Sequence, residues 1–417
     1  MKTAILILFL FTGLSRANAQ FDVLTYTNYV IRDMITFDNK LFIGGHFTSF
    51  QDTIESYWTA YYDDGLIVPH TNPIGGGGAI EFAVFDNELY AVGDWIFPGG
   101  IHTGVVKWNG TTWVMEGESS LVHGNIHVIG NYLYVVDIYG LIRRKAAGGT
   151  FEVFKDLSAE PDAYFDEVSS YQGKLCIMGS FVELEGVPVR NIALWNGTTW
   201  ESLGTGMSPS IFKALVYQNE LYVAGIIYEV DGQPIKHISK WNGTSWSDVG
   251  MSVTGNGGNG IRNLVIWGNK LFAFGEFDEI GNQPADGIAS WNGQQWTTYV
   301  VPHPELVLCA GAVYNGRLYF AGMDPFMDRV NVYGYSGDLL NLDEPETMTP
   351  AIYPNPSNGI FTLSEDYQGN DYEVLNALGQ RIMTGNTSVV DLSEQEKGVY
   401  FLRFVDEDSE VIRLVKE

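Results

Sequence analysis

A short apolar phrase recurs along residues 20–340, and this repetition constrains the fold more than any other feature of the sequence. Each copy places a leucine directly after a polar turn, as in DNKLFIGG from Asp38 and QNELYVAG from Gln218. Successive leucines lie 42–50 residues apart, a period typical of proteins built from similar supersecondary units. The seven anchoring leucines are Leu41, Leu89, Leu133, Leu175, Leu221, Leu271 and Leu318.

Each phrase has the pattern of a β-hairpin. An apolar segment such as Ala214–Tyr217 enters a turn of Asn, Gly or Asp, residues that tolerate a positive φ. A second apolar segment then leaves the turn and stops at a glycine, as in Leu221–Gly225. The sequence therefore predicts an all-β protein that contains seven such hairpins.

A second phrase, two tryptophans around an Asn-Gly turn, predicts another hairpin in each repeat. Eight of the eleven Trp residues lie in four hexapeptides of this type, and weaker versions occupy Ala146–Phe151, Tyr335–Leu340 and Tyr62–Ile67. One repeat then holds four strands, A to D, and it needs neighbours to cover both faces. The four hexapeptides are Trp108–Trp113, Trp195–Trp200, Trp241–Trp246 and Trp291–Trp296.

These repeats resemble the kelch family. The similarity lies in the apolar A strand, the Leu-aromatic-Val strand that ends in Gly, and the aromatic residues around the C–D turn. The sequence departs from the family in having one Gly where kelch repeats have a pair, and WNG where they often have Tyr-Asp. The resemblance implies a seven-bladed β-propeller over residues 20–340. Because kelch rings have very different functions, it implies a fold and not an activity.

Closure of such a ring can be predicted from the two ends of the repeat region. Phe21–Leu24 has the pattern of a D strand with no A, B or C strand before it. We expect it to complete the last repeat and to remove a free sheet edge. Leu339–Leu342 is the alternative source of that strand.

The first 19 residues have the pattern of a secretory signal peptide. Lys2 precedes the apolar stretch Ala4–Leu14, and Ala17-Asn18-Ala19 supplies a small-x-small cleavage site before Gln20. A stretch of about 11 apolar residues is too short for a bilayer, which needs roughly 20. We therefore expect export and no transmembrane segment in the mature chain.

The composition changes after the repeats. Residues 341–350 are acidic and contain proline, which predicts a linker. Residues 351–417 then hold short alternating segments that predict a small β-sandwich. The predicted strands are Gly359–Leu363, Tyr372–Leu375, Val389–Leu392, Val399–Phe404 and Val411–Val415.

This last region resembles the type A C-terminal sorting domain of the type IX secretion system. The resemblance begins at IYPNPSNG, from Ile352, and ends at RLVK, which closes with Lys416. It implies a partner, the type IX secretion machinery, and a location outside a bacterium or on its outer-membrane surface. The residues of the sorting signal are Tyr353, Pro354, Asn355, Pro356, Gly359, Gly379, Gly398, Tyr400 and Lys416.

The charge and the cysteine content restrict the partners further. A formal net charge of −27 repels nucleic acid and anionic lipid, so we expect neither as a partner. The two cysteines, Cys176 and Cys309, fall in repeats that are not neighbours, and we expect two buried thiols.

No motif predicts catalysis, a metal or a cofactor. The histidines are scattered, and no nucleophile elbow or phosphate loop is present. The B–C loops are the predicted ligand contacts, because they carry aromatic and acidic residues at one face of the ring. The competing interpretation of the recurring aromatic, at Phe47, Trp95, Phe181 and Phe277, is packing within the blade. The candidate residues are Trp95, His102, Glu183, Glu185, Tyr228, Asp231, Asp278 and Glu279.

Three functions fit this sequence. The first is a non-catalytic module that binds a glycan or a protein. The second is an extracellular polysaccharide hydrolase or lyase, which predicts paired carboxylates about 5–10 Å apart in the central funnel. The third is a structural spacer or adhesion element, which predicts a funnel filled by apolar side chains.

Overall fold

The chain forms two compact units, Met1–Gly337 and Asp338–Glu417, in a computed structural model. The predicted signal peptide, the linker and Leu339–Leu342 lie outside the described residues. No helix occurs among the residues that the structure describes. These are residues 21–70, 81–98, 100–116, 124–160, 162–235, 237–249, 253, 260–301, 307–324, 329–335, 352–353, 357–363, 371–376, 380–404 and 411–416.

The described part of the first unit contains seven antiparallel sheets with the strand order A-B-C-D, numbered 1 to 7 along the chain. Sheets 1 and 2 consist of Ile31–Phe37, Lys40–Gly45, Thr59–Asp63 and Leu66–Pro69, and of Glu81–Phe85, Glu88–Phe97, Ile101–Trp108 and Trp113–Met115. Sheets 3 and 4 consist of Gly124–Ile129, Tyr132–Asp137, Leu141–Ala146 and Glu152–Asp156, and of Tyr164–Tyr171, Lys174–Ser180, Ile192–Trp195 and Trp200–Ser202.

Sheets 5 to 7 have the same order. Sheets 5 and 6 consist of Ile211–Tyr217, Glu220–Gly225, Ile238–Trp241 and Trp246–Asp248, and of Ile261–Trp267, Lys270–Gly275, Ile288–Trp291 and Trp296–Thr298. Sheet 7 consists of Val307–Tyr314, Arg317–Asp324, Arg329–Tyr335 and Phe21–Thr27. Four B–C connections carry a short hairpin, at Ser49–Phe50 with Ile54–Glu55, Glu183–Leu184 with Val187–Pro188, Glu229–Val230 with Gln233–Pro234, and Glu279–Ile280 with Gln283–Pro284.

The Asn-Gly turns form as the sequence predicts. In sheet 4, the side-chain oxygen of Asn196 accepts the backbone N–H groups of Thr198 and Thr199 at 2.9 and 3.0 Å. The φ of Gly197 is +103°, a conformation that residues with a Cβ rarely adopt. Trp195 and Trp200 are cross-strand partners with ring centroids 5.2 Å apart. The tryptophans therefore pack the C strand against the D strand.

The A strands of the seven sheets form a closed cycle. Each A strand contacts the A strand of the next sheet, and the A strand of sheet 7 contacts that of sheet 1. Apolar side chains from neighbouring sheets share cores, as where Ala214 of sheet 5 packs in one cluster with Met178 of sheet 4. Each sheet is thus covered by its neighbours, as a ring of four-stranded repeats requires.

The N-terminal strand completes sheet 7, as the sequence predicts. Phe21–Thr27 pairs antiparallel with Arg329–Tyr335, from Phe21 opposite Tyr335 to Thr27 opposite Val330. The strand is three residues longer than predicted, and Thr27 also pairs with Phe50 of the first B–C hairpin. The first and last described strands of the first unit are therefore joined within one sheet.

The second unit has two sheets around one core. Phe361 of the first sheet packs in one apolar cluster with Val374 and Leu402 of the second. The strand Arg381–Gly385 is absent from the sequence prediction because its short, mixed pattern carries no clear alternation. The first sheet consists of Ile352–Tyr353, Ile360–Leu363 and Val389–Asp391, and the second of Arg381–Gly385, Tyr372–Asn376, Gly398–Phe404 and Val411–Lys416.

Candidate functional site

The A strands begin around a cavity of about 730 Å³ at one end of the ring. The strand directions place the D–A and B–C connections at this same end, which we call the loop face. Residues at the start of the described A strands line the cavity, and none of the eight predicted loop residues is among them. The volume lies within the range typical of small-ligand sites.

A ring of polar residues surrounds the channel at one position of the repeat, eight residues before each anchoring leucine. Sequence reasoning missed this ring, although the alignment of the leucines is enough to find it. Six of its seven members are polar, in strands that are otherwise mainly apolar. The members are Asp33, Glu81, Asn125, Glu167, Lys213, Asn263 and Ala310.

Five of these side chains join their own sheet to the next one. Asp33 of sheet 1 accepts the backbone N–H of Phe82 at 2.9 Å, and Glu81 of sheet 2 accepts that of Ile126 at 2.9 Å. Glu167 accepts the N–H of Ala214 in the same way, at 3.3 Å. These polar side chains bind the backbone of neighbouring sheets. Their first role is therefore to hold the closed cycle of sheets together.

Lys213 connects sheets that are not neighbours. Its ammonium lies 3.1 Å from Glu81 Oε1 and 3.5 Å from Glu167 Oε1. Lys213 is 27% exposed, whereas the side chains of Glu81 and Glu167 are 18% and 4% exposed. We call Asp33, Glu81, Glu167 and Lys213 the channel cluster.

The channel cluster has unusual proton affinities. Burial raises the pKa of Asp33 to about 7 and that of Glu167 to about 8, although Lys213 opposes both shifts. Burial also disfavours the charge on Lys213, but Glu167, Glu81 and Asp33 raise its pKa above the ordinary range. Burial lowers the pKa of the neighbouring His127 to about 4. Lys213 is therefore a charged ion-pair partner and not a nucleophile at neutral pH.

Five exposed tyrosines lie on the loop face. Tyr29 is in a D–A connection, Tyr57, Tyr139 and Tyr228 are in B–C connections, and Tyr164 begins an A strand. Their exposed fractions run from 36% to 62%. No Trp or Phe is exposed among the described residues, so every exposed aromatic ring described in the first unit is on this face.

The recurring aromatic of the B–C connection is buried. Trp95 is 1% exposed, and its ring centroid lies 5.6 Å from that of Trp113. Phe47, Phe181 and Phe277 are buried as well. This burial fits packing within the blade, so Trp95 offers no surface on which a ligand can stack.

Three of the predicted loop residues hold the loops in place. Glu185 accepts hydrogen bonds from Lys155, at 2.7 and 2.8 Å, and from the indole of Trp200 at 3.0 Å. Asp231 accepts the backbone N–H of Thr205 at 2.7 Å. His102 Nδ1 lies 3.4 Å from Asp94 Oδ1 at the tip of an exposed hairpin. None of these three side chains lines the cavity.

The remaining predicted loop residues are spread over separate sheets. Tyr228 is exposed, with its ring 5.2 Å from that of His237. Glu183 and Glu279 begin the short hairpins of sheets 4 and 6, and Asp278 precedes Glu279. Within the described residues, no group of three or more His, Cys, Asp or Glu side chains could hold a metal ion.

The two cysteines are not bonded to each other. Cys176 is buried, and Cys309 is half-buried and donates its thiol to the carbonyl of Ile31 at 3.1 Å. Burial raises the pKa of both thiols to about 12. The described residues include no helix that is long and apolar enough to cross a membrane.

The predicted sorting residues are described only in part. Pro354, Asn355, Pro356 and Gly379 lie outside the described residues, and only the backbone of Tyr353 is described, in a short strand. Gly359 has a φ of +119°, which favours glycine, and Gly398 begins the strand that holds Tyr400. The hydroxyl of Tyr400 donates to the carbonyl of Glu396 at 2.6 Å.

Lys416 closes the loop that follows Asp391. Its ammonium donates to the carbonyls of Leu392 and Ser393 at 2.9 and 2.7 Å, and to that of Gln395. The side chain is buried. One ammonium therefore satisfies three carbonyl groups of a single loop.

We expect Lys416→Met to destabilise the second unit by about 1–3 kcal/mol, because three carbonyls lose a charged donor. Denaturant unfolding of the full chain, followed in the transition of this unit, measures the effect. Lys397→Met removes an exposed charge from the same unit and serves as the control. Equal transitions for the two variants would contradict a structural role for Lys416.

The geometry and the comparisons agree on the class of protein. Repeated four-stranded meanders in a closed ring define a β-propeller. Residues 351–417 match the family described as the secretion system C-terminal sorting domain. This match implies export by the type IX secretion system, to the cell surface or the extracellular space, and interaction with that machinery.

No curated protein sequence matches the chain. Among solved structures, it is similar to the extracellular domain of the putative hybrid two component system BT3049 from B. thetaiotaomicron, with 11% identity and a TM-score of 0.53 over 96% of this chain and 58% of that one. It is also similar to PorZ, a surface component of the type IX secretion system of Porphyromonas gingivalis, with 14% identity and a TM-score of 0.40 over 91% and 64%. The chain thus spans less than two thirds of either structure, and the first similarity concerns the fold alone.

Proposed function

We propose that this chain is a kelch-like, seven-bladed β-propeller that recognises a glycan or a protein outside the cell without catalysis. A signal peptide of residues 1–19 starts its export, and a C-terminal β-sandwich after the linker at 341–350 directs the type IX step. The propeller is the exported cargo. Its ligand binds at the loop face.

The placement of the exposed aromatic rings carries this proposal. Tyr29, Tyr139 and Tyr228 come from connections of three different sheets, yet all of them are exposed at the end where the cavity opens. Tyrosine offers a large rigid surface and a polar hydroxyl, which suits it to sugars and to protein surfaces. Rings exposed for solubility alone would have no reason to share one end.

The channel cluster supports a second candidate, a polysaccharide hydrolase. Glu81 and Glu167 line the cavity, and the raised pKa of Glu167 suits a proton donor. Against this, both carboxylates already accept backbone N–H groups and both face Lys213. A structural spacer is not favoured, because charged residues line the cavity and apolar side chains do not fill it.

A glycan and peptide array tests the proposal on the full chain. We expect Tyr29→Ala and Tyr228→Ala each to weaken binding of the best ligand about 5- to 50-fold, a loss typical of an exposed aromatic contact. Leu66→Ala is the matched control, because Leu66 is 69% exposed and begins a D strand directly after the C–D turn, at the opposite end. Unchanged binding in both tyrosine variants would overturn recognition by the loop face.

Turnover of the bound ligand decides between the two candidates. The recognition module is expected to release the ligand intact. Cleavage that disappears in Glu167→Gln would favour the hydrolase, because glutamine keeps the hydrogen bond to Ala214 but cannot supply the proton.

A further inference from the structure

The wall of the cavity carries three arginines, although the chain as a whole has a net charge of −27. Arg32 comes from sheet 1, Arg262 from sheet 6 and Arg329 from sheet 7, so the three belong to consecutive sheets of the closed cycle. We call them the arginine sector. Five acidic residues line the cavity as well, so the arginine sector is the more cationic side of a mixed wall.

Two members of the arginine sector occupy equivalent positions. Arg32 and Arg262 each lie nine residues before the anchoring leucine, where the pairing of the A and B strands shifts by one residue. A residue in such a bulge is left out of the ladder and its side chain is re-aimed. Cys309 of sheet 7 lines the same cavity as both arginines. Burial raises the pKa of its thiol, and both guanidinium groups oppose that rise.

The other contacts hold two of the guanidinium groups in position. Arg262 lies 3.0 Å from Glu276 and stacks over the ring of Phe212 at 4.8 Å. Arg329 lies 2.7 Å from Asp52 and stacks over Tyr26 at 4.4 Å. A guanidinium has five N–H donors, so one carboxylate partner leaves donors for a ligand. Such pre-positioned groups bind an anion at a low entropic cost.

We infer that the arginine sector binds the carboxylate of an acidic sugar, such as a uronic acid unit of a polysaccharide. The planar fork of arginine matches a carboxylate with two hydrogen bonds. The cavity of about 730 Å³ has room for a small oligosaccharide. Tyr29 lines the same cavity and is exposed, so it can stack on the sugar ring. This inference rests on the proposed recognition function and names its ligand class.

Titration calorimetry of the full chain with trigalacturonate and with its neutral methyl ester tests the inference. We expect the acid to bind at least tenfold more tightly than the ester. Arg32→Gln and Arg262→Gln should each weaken binding of the acid about tenfold and leave binding of the ester unchanged. Arg32 is the cleaner variant, because its side chain is exposed and Arg262 also packs on Phe212.

Lys240→Gln is the matched control, because Lys240 pairs with Glu220 away from the cavity. Equal affinity for acid and ester, or arginine variants that bind like the control, would overturn the inference. Failure of both saccharides to bind would overturn it as well. The array experiment separates this inference from the proposed function. If Tyr29→Ala and Tyr228→Ala weaken binding of another ligand on the array, the proposed recognition function still holds. Preference for an acidic peptide over the uronate would replace the sugar by a protein ligand and overturn the inference.

Discussion

Removal of residues 21–28 is expected to abolish the cooperative unfolding of the first unit. Phe21–Thr27 is the D strand of sheet 7 and pairs with Arg329–Tyr335 along its whole length. Without it, the ring is open and sheet 7 has a free edge. The expected loss is on the order of 5 kcal/mol or more, comparable with the total stability of many domains.

Thermal unfolding and limited proteolysis of the full chain measure this loss. A synthetic peptide of residues 20–29, added in excess, should restore part of the transition because it can occupy the vacated position. Leu66→Ala, an exposed change elsewhere, is the control. An unchanged melting temperature would mean that another segment, such as Leu339–Leu342, can supply the strand.

The repeat architecture was predictable because its signals are local. The Asn-Gly turns and the leucines after the A–B turns depend on residues within about ten positions of each other. Ring closure was predictable from Phe21–Leu24 for the same reason, because an isolated D-strand pattern requires a partner. These residues specify strands and turns through contacts that are close in the sequence.

The channel cluster was not predicted because it forms across the ring. Glu81 and Lys213 are 132 residues apart in sequence, and no local motif relates them. The aromatic and acidic residues that indicated a binding site lie in loops, whereas the channel cluster lies inside apolar A strands. An alignment on the anchoring leucines would have placed all members of the polar ring at one position, although not the pairing of Lys213 with sheets 2 and 4.

The burial of Trp95 and the exposure of Tyr29 could not be predicted from the sequence. Both are aromatic residues near the loop face, and only the packing distinguishes them. Aromatic residues occupy the position equivalent to Trp95 in three other sheets. This recurrence indicates a role in packing. Tyr29 has no equivalent in the other repeats, which is what a contact specific to one ligand would require.

The polar ring also explains why recognition is favoured over catalysis. A catalytic carboxylate needs a free oxygen that faces its substrate, and Asp33 directs one oxygen to Met34 and the other to Phe82. Glu167 is almost completely buried beside Lys213. The exposed tyrosines and the arginine sector, by contrast, lie where a ligand can reach them. The channel cluster is therefore structural, whereas the exposed tyrosines and the arginine sector are available for binding.

Lys213→Met is expected to destabilise the first unit by about 2–4 kcal/mol at neutral pH. The change removes the only cation of the channel cluster and leaves three carboxyl groups near each other without compensation. The expected loss is smaller than for a fully buried pair because Lys213 is partly exposed in the channel. Lys40→Met, which breaks a surface pair with Asp38, is the control and should cost less than about 1 kcal/mol.

The destabilisation by Lys213→Met should grow with pH. In the native chain, the pKa values of Asp33 and Glu167 are raised above their ordinary values, so the folded state binds more protons than the unfolded state. These two groups therefore stabilise the fold less as the pH rises from about 4 to about 8. Without Lys213 both pKa values rise further, which widens the pH range over which stability is lost. The difference from the native chain is then small near pH 4 and larger at pH 8.

Denaturant unfolding at pH 5 and at pH 8 measures this dependence. The double variant Lys213→Met with Glu167→Gln should regain part of the stability at pH 8 and little at pH 5, because glutamine carries no charge at either pH. A loss that is equal at both pH values would show that Lys213 acts through packing alone. In that case the ring of sheets would be held at its centre by hydrogen bonds to the backbone, and the charges of the channel cluster would contribute nothing to its stability.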